Sequence, residues 1–317
     1  MKKIRVGVVG VGHLGYHHAR IYHELEQAEL VAVADISEAA RNKASTDFEV
    51  TAVDSVEALL DLGVDALSVA TPTETHCETV LSALRQNVHV LVEKPLASTI
   101  DEGEAMVKEA AARNLLLQVG HVERFNGAVL ALFEAGLAPK FIECHRLSPF
   151  PGRGSDVSVV LDLMIHDLDI VMKLAASPVK SIDAVGVPVF SEQEDIANVR
   201  LRFESGCVAN LTSSRVSLER MRKIRIFDPN AYVSTDYSAQ EVLVYRKKPG
   251  ALAPDANPME SISITPLPVK KEEPLKLELA SFLHDLQANA PVAVSGEEGL
   301  QALKLSWLIL DTIRNNQ

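Results

Sequence analysis

The chain predicts an α/β fold in two parts, a doubly wound parallel sheet followed by an α+β domain on a largely antiparallel sheet. Three observations lead there. From residue 4 to about 120, short β-branched runs alternate with amphipathic stretches, the pattern of βαβ units. A glycine-rich turn, Gly10-Val11-Gly12-His13-Leu14-Gly15, closes the first run and opens the first amphipathic stretch. Beyond about residue 121 the runs alternate polar with apolar, as strands with one wet face do. The expected domains are therefore 1–121 and 122–317.

The strands expected in the first part are IRVGVVG, ELVAVAD, a weak FEVTAV, VDALSVAT, NVHVLVEK and LLLQVGH, whose nearly continuous apolar runs suit burial on both faces. Helices are expected to begin near His13, Ser37, Ser55, Glu74, Thr99 and Phe125. Ser37, Ser55 and Thr99 are N-cap residues followed by first-turn acids. In the second part a helix, RFNGAVLALFEAG, leads to a strand, KFIECHRL, a loop, SPFPGRGSD, and an apolar helix, VVLDLMIHDLDIVMKL, at 159–174. Antiparallel strands then follow, with FESGCV as a hairpin turn. Residues 247–274 hold six of the 15 prolines and read as a surface excursion around one strand, SISIT. Two helices, near 275–289 and 297–314, close the chain.

Charge and composition remove several function classes. The net charge of −12 opposes a nucleic-acid partner, whose phosphates demand a basic face. Cys77, Cys144 and Cys207 are scattered without metal-ligand spacing, and their odd number gives no complete disulfide framework, so they are expected as reduced thiols in a cytoplasmic protein. The N-terminal MKKIRVGVVGVGHLG has the lysines of a signal peptide, but its apolar stretch is short, alternating and glycine-ended. No apolar run approaches the roughly 18 residues of a membrane span. Neither export nor membrane insertion is expected.

The glycine turn carries the first chemistry. Gly10, Gly12 and Gly15 end a strand and open a helix, and Asp35 lies 20 residues past Gly15 at the end of the second strand. That context makes the triplet a dinucleotide fingerprint: a tight turn, a close backbone approach to pyrophosphate, and a helix N-terminus, with the backbone of His13 and Leu14, to receive it. Asp35 points to NAD over NADP, because a carboxylate accepts from a ribose 2′-hydroxyl and repels a 2′-phosphate. Arg41 lies too far along the next helix to be assigned a phosphate. Thr71 and Pro72, and Glu93-Lys94-Pro95, follow the fourth and fifth strands, where ligands bind in open α/β sheets. Lys94 is placed to donate to a substrate oxygen, and Pro95 to lock a fixed, even cis, turn.

The helix at 159–174 raises a different question, because acids and a histidine interrupt an apolar run. At helical spacing Asp162, His166 and Asp169 share a face while Asp167 points elsewhere. A catalytic pair, a metal site and a structural polar cluster all fit that spacing; Asp169 reads as structural.

Together G-x-G-x-x-G, EKP and D-x-x-x-H-x-x-D resemble the Gfo/Idh/MocA family of nicotinamide-dependent oxidoreductases over essentially the whole chain. The resemblance implies that Lys94, Asp162 and His166 act on the substrate, and with Asp162 and His166 as a catalytic pair no metal is expected. His166 would accept the hydroxyl proton as hydride leaves, Asp162 would orient the ring or contact the substrate, and Lys94 would stabilise developing charge. Met164 stands where many members carry glycine, and QVGHVERFNGAV resembles a family segment with Gly127 in place of proline. Arg124, Asn126, Arg146 and Arg153 are the expected substrate contacts, the arginines as a diphosphate clamp. HRLSPF through VVLDLMIHDLDI resembles the branch that oxidises C3 of UDP-N-acetylglucosamine, which implies a nucleotide-sugar substrate; a cyclitol or free sugar and a non-catalytic nicotinamide sensor are the alternatives. The antiparallel sheet is expected to form a homodimer or homotetramer through an isologous face.

Overall fold

The computed structural model describes residues 3–150, 156–248 and 262–316. Contacts divide them into two units, Met1–Val122 with Glu273–Lys304, and Glu123–Glu272 with Leu305–Gln317.

The first unit is the expected doubly wound sheet. Its elements run β1 (Ile4–Val9), α1 (His13–Glu24), β2 (Ala28–Ala34), α2 (Glu38–Phe48), β3 (Thr51–Val53), α3 (Val56–Leu60), β4 (Ala66–Val69), α4 (His76–Arg85), β5 (His89–Glu93), α5 (Ile100–Arg113) and β6 (Leu117–Gly120). The strands lie in the order β3-β2-β1-β4-β5-β6 and every pair is parallel. Chain direction across the sheet reverses between β1 and β4, so the crevice beyond their carboxyl ends is the place for a ligand. The predicted caps are present: Ser37 accepts from the Ala40 amide, Ser55 from Ala58, and Thr99 forms a reciprocal capping box with Glu102.

The boundary at 121–122 does not partition the chain into two continuous pieces. Helix α8 (Pro274–Ala288) returns to the first unit, where Leu279, Phe282 and Leu283 pack with Ile4, Val6, Val8, Tyr22 and Leu91 in one buried cluster. Apolar burial recruits them; each large side chain contributes about 1.5–3 kcal/mol by leaving water. The last helix, α9 (Gly296–Asn315), is divided, with Leu305, Ile309, Leu310 and Ile313 in the core of the second unit.

That second unit contains α6 (Gly127–Glu134), β7 (Phe141–Leu147), α7 (Ile165–Ala175), β8 (Val179–Val187), β9 (Ile196–Phe203), β10 (Val208–Ser214), β11 (Met221–Asp228), β12 (Ala231–Asp236), β13 (Glu241–Lys247) and β14 (Ile262–Pro266). Among the described residues its sheet runs β14-β13-β12-β11-β7-β10-β9-β8, antiparallel except where β7 and β10 pair in parallel. Ile142, Cys144, Ile224, Ile226, Val233 and Val244 line the buried face, which also takes Met164, Leu168 and Val171. On the opposite face Phe141, Phe227, Tyr232 and Tyr245 form a ladder across four strands, with ring centroids 5.5, 4.9 and 5.0 Å apart.

Candidate active site

In the first unit the three glycines meet different constraints. Gly10 has φ +80°, and a Cβ there would stand 2.7 Å from the Ala70 carbonyl oxygen. At Gly15 a Cβ would fall 1.7 Å from the Gly10 carbonyl oxygen, so α1 lies against the turn closely enough to forbid any side chain. Gly12 is open, with nothing within 4 Å of that position, and it borders a cavity of about 480 Å³. Helix α1 starts at His13 with Gly12 as its cap, no capping side chain and no first-turn acid, which leaves its first amides for an anion. His13 and Leu14 are exposed there.

Asp35, Thr71 and Pro72 line the same cavity. The Asp35 carboxylate is fixed by two backbone donors, the Val11 amide to Oδ2 (2.8 Å) and the Ser37 amide to Oδ1 (2.8 Å). Its position is thereby set from both the glycine turn and the head of α2. Three lining carboxylates escaped sequence reasoning, Asp54, Glu57 and Glu78, as did Ile36, an apolar side chain 94% exposed at the cavity edge. An isoleucine directly after Asp35, at the end of the second strand, was the available signal. Arg41 is nearer than its sequence separation suggested: Nη1 donates to the carbonyl oxygens of Asp35 (2.7 Å) and Ile36 (3.1 Å). These residues fit a dinucleotide: open glycine, uncapped helix end, a held carboxylate and an apolar surface for a base.

Glu93, Lys94 and Pro95 follow β5, with a cis peptide bond between Lys94 and Pro95. Glu93 is buried, its Oε1 3.1 Å from His18 Nε2, while His18 Nδ1 lies 2.7 Å from the Ser68 hydroxyl. The Glu93 carboxylate occupies the space a side chain at residue 120 would need, 2.8 Å from the position of a Gly120 Cβ. Glu93 is therefore a buried anchor of the turn that carries Lys94.

In the second unit the segment from Val160 to Met164 is a π-helical turn, closed by the Ile165 amide on the Val160 carbonyl, before α7 begins. The expected continuous α-helix is interrupted at Asp162. Such single turns, with an extra residue in the loop of the hydrogen bond, recur at functional sites. Asp162 and His166 are half-buried. Asp167 and Asp169 are buried, and each meets an arginine in a forked pair: Arg146 on Asp167 (2.9 and 2.9 Å) and Arg124 on Asp169 (2.6 and 2.6 Å). Arg146 also donates to Glu123 (3.0 Å).

These pairs correct the expected diphosphate clamp. Arg124 and Arg146 are buried, and the carboxylates around them neutralise the charges a diphosphate would need. Burial disfavours the Arg146 charge, yet Asp167 and Glu123 hold its pKa above the ordinary value. Asn126 caps α6 by accepting from the Ala128 amide and donates to the Tyr237 carbonyl, so it builds the fold at the position assigned to substrate. Arg153 lies outside the described residues. Met164 packs into the core, and a Cβ at Gly127 would meet the Lys270 carbonyl oxygen at 2.2 Å. Sequence reasoning also missed a hub at Asp195, which accepts from the amides of Val189, Phe190 and Ser191 and from Arg215 Nε. Arg215 in turn donates to the Val157 carbonyl, and the Val159 amide donates to Glu194, fixing the chain as it enters the π turn. Among the described residues no His, Cys, Asp and Glu group has the geometry of a metal site, and no helix is long and apolar enough to cross a membrane.

Comparison with known proteins gives two family matches: "Oxidoreductase family, NAD-binding Rossmann fold" over residues 4–121 and "GFO/IDH/MocA C-terminal domain" over 141–231. The chain is 35% identical to a UDP-N-acetylglucosamine 3-dehydrogenase of Acidithiobacillus ferrooxidans across 96% of this chain and 95% of that one. A solved structure of that dehydrogenase superposes with a TM-score of 0.92 at 34% identity, covering 99% and 98% of the two chains. It is also 27% identical to a myo-inositol 2-dehydrogenase of Thermotoga maritima over 96% of this chain and 94% of the relative.

Proposed function

The chain belongs to the Gfo/Idh/MocA family of NAD-binding oxidoreductases, and from that premise we propose that it oxidises a secondary alcohol of a nucleotide sugar, C3 of UDP-N-acetylglucosamine. The whole-length likeness to a dehydrogenase of that substrate carries the reading. NAD is the proposed cofactor: Asp35, Asp54, Glu57 and Glu78 surround the cavity with negative charge that a 2′-phosphate would meet, and Arg41 is held on carbonyl oxygens.

Bound nicotinamide supplies the two-electron acceptor. His166 takes the hydroxyl proton as the carbinol carbon becomes a ketone, a task suited to imidazole. Lys94 hydrogen-bonds the reacting oxygen and stabilises its developing negative charge. Asp162, in the π turn, orients the imidazole or contacts a neighbouring hydroxyl. The buried forks Arg124–Asp169 and Arg146–Asp167 hold the helix that presents His166. We further propose that the chain is a homodimer or homotetramer, with the aromatic ladder of the second sheet as its isologous face.

A second reading, a cyclitol dehydrogenase, is favoured by one observation: Arg124 and Arg146 are neutralised within the fold, and inositol dehydrogenases are among the relatives. Nicotinamide absorbance decides between them. Purified protein and NAD⁺ are incubated with UDP-N-acetylglucosamine, myo-inositol or glucose, with an aminotransferase trap for the ketone. Reduction with the nucleotide sugar alone supports the first reading; reduction with myo-inositol alone replaces it. Lys94→Ala and His166→Ala are each expected to lower turnover by about 10²–10⁴-fold with NAD affinity nearly unchanged.

A further inference from the structure

His76, the first residue of α4, is 1% exposed and belongs to none of the sites above. Its ring stands between two backbone carbonyls on different loops of the first unit. Nε2 lies 3.0 Å from the Thr71 oxygen and Nδ1 lies 3.0 Å from the Pro95 oxygen. Thr71 lines the dinucleotide cavity, and Pro95 is the residue after Lys94. A carbonyl oxygen only accepts, so each contact draws on a ring N–H: a neutral ring supplies one at a time and a protonated ring both. Each loop also has a support of its own. Thr75 holds the Thr71–Pro72 loop through the Thr71 hydroxyl (2.8 Å) and the Pro72 carbonyl (2.9 Å), while His18 holds Glu93 ahead of Lys94.

We propose that His76 is a positioning residue that couples the cofactor loop at Thr71 to the turn carrying Lys94, its ring N–H given to one of the two carbonyls at a time. The proposal rests on the reading of Lys94 as the residue that meets the reacting oxygen. Because the ring is buried and touches both carbonyls, displacement of Thr71 by a dinucleotide is transmitted to the Pro95 carbonyl. By linkage, a ligand held by Lys94 alters dinucleotide affinity by the same factor.

The two amide isosteres separate the two contacts. In His76→Asn the side-chain amide takes the place of Nδ1 and keeps the Pro95 contact; in His76→Gln it takes the place of Nε2 and keeps the Thr71 contact. Each variant is measured for NAD⁺ affinity by titration calorimetry, and for Lys94 by the rate of reductive methylation with and without NAD⁺, alongside Tm. His76→Asn is expected to weaken NAD⁺ about tenfold while Lys94 keeps the wild-type rate; His76→Gln is expected to keep the affinity and change the lysine rate severalfold. In both, NAD⁺ is expected to lose its effect on the lysine. Equal changes in both quantities that follow Tm, or no change in either, overturn the proposal.

Should the variants fail to fold, ¹⁵N spectra of histidine in the unaltered protein serve instead. The proposal expects a ring N–H at His76 protected from exchange with water and shifted by NAD⁺; a rapidly exchanging, unresponsive ring overturns it. None of these readouts requires a sugar to turn over, so failure of the proposed reaction is distinguishable from failure of this one.

Discussion

Arg146 offers the sharpest separation between fold and substrate recognition. Arg146→Met removes the guanidinium from Asp167 (two bonds of 2.9 Å) and from Glu123 (3.0 Å), leaving buried carboxylates without their principal cation. Breaking one side of a buried ion pair costs about 3–5 kcal/mol, because the charge left behind remains desolvated. At about 2–4 °C per kcal/mol for a domain of this size, Tm of the second unit is expected to fall by roughly 6–20 °C. Pairing the change with Asp167→Leu recovers part of the loss, since Glu123 keeps Arg222 at 3.4 Å. Arg146→Lys keeps the charge but loses the fork, and should lie between. The assay is thermal unfolding by circular dichroism, run beside the KM for UDP-N-acetylglucosamine. A Tm that stays within a degree or two of wild type while KM rises tenfold would refute this argument and return Arg146 to the diphosphate.

Two further outcomes follow from particular contacts. Gly12→Ala leaves Tm unchanged and weakens NAD⁺ binding, because the new methyl meets no protein atom but intrudes on the cavity, whereas Gly15→Ala lowers Tm and binding together through its 1.7 Å encounter with the Gly10 carbonyl; calorimetry and melting curves read both. Burial alone would raise the Asp195 pKa, but the amides of Phe190 and Val189, the Ser191 hydroxyl and Arg215 outweigh it and hold the folded value below the ordinary one. Its contribution is therefore complete above the unfolded value of about 4 and drains away as pH falls below it. Asp195→Asn should flatten the acid limb of stability against pH, and an unchanged limb would remove Asp195 as its source.

Local signals recovered most of the first unit. β1, β4, β5 and β6 were readable because burial leaves continuous apolar runs, the edge strand β3 with Thr51 exposed gave only the weak run FEVTAV, and Ser37, Ser55 and Thr99 marked helix starts by chemistry that acts within one turn. The antiparallel character of the second sheet was legible from alternation, but the parallel β7–β10 pair was not, since pairing partners lie 67 residues apart. Asp169 read as structural and proved to be paired with Arg124, yet the arginines themselves were assigned to substrate. Sequence spacing along one helix relates its own residues; it does not say which distant cation a carboxylate will meet. The π turn was hidden for a similar reason, because an extra residue in one hydrogen-bonded ring leaves the apolar pattern nearly intact.

The return of α8 to the first unit has a consequence for synthesis. A ribosome delivers β1 through β6 early, but Leu279, Phe282 and Leu283, which complete the cluster on that sheet, emerge only after residues 123–272. At about 5–20 residues per second the wait is roughly 8–30 s. For that interval Ile4, Val6, Val8 and Leu91 have the cover of α1 and α2, through Ile21, Tyr22 and Phe48, but lack the part that α8 supplies. Newly made chains should therefore be captured by hydrophobic-surface chaperones during this window, and release should coincide with emergence of α8 rather than with completion of β6.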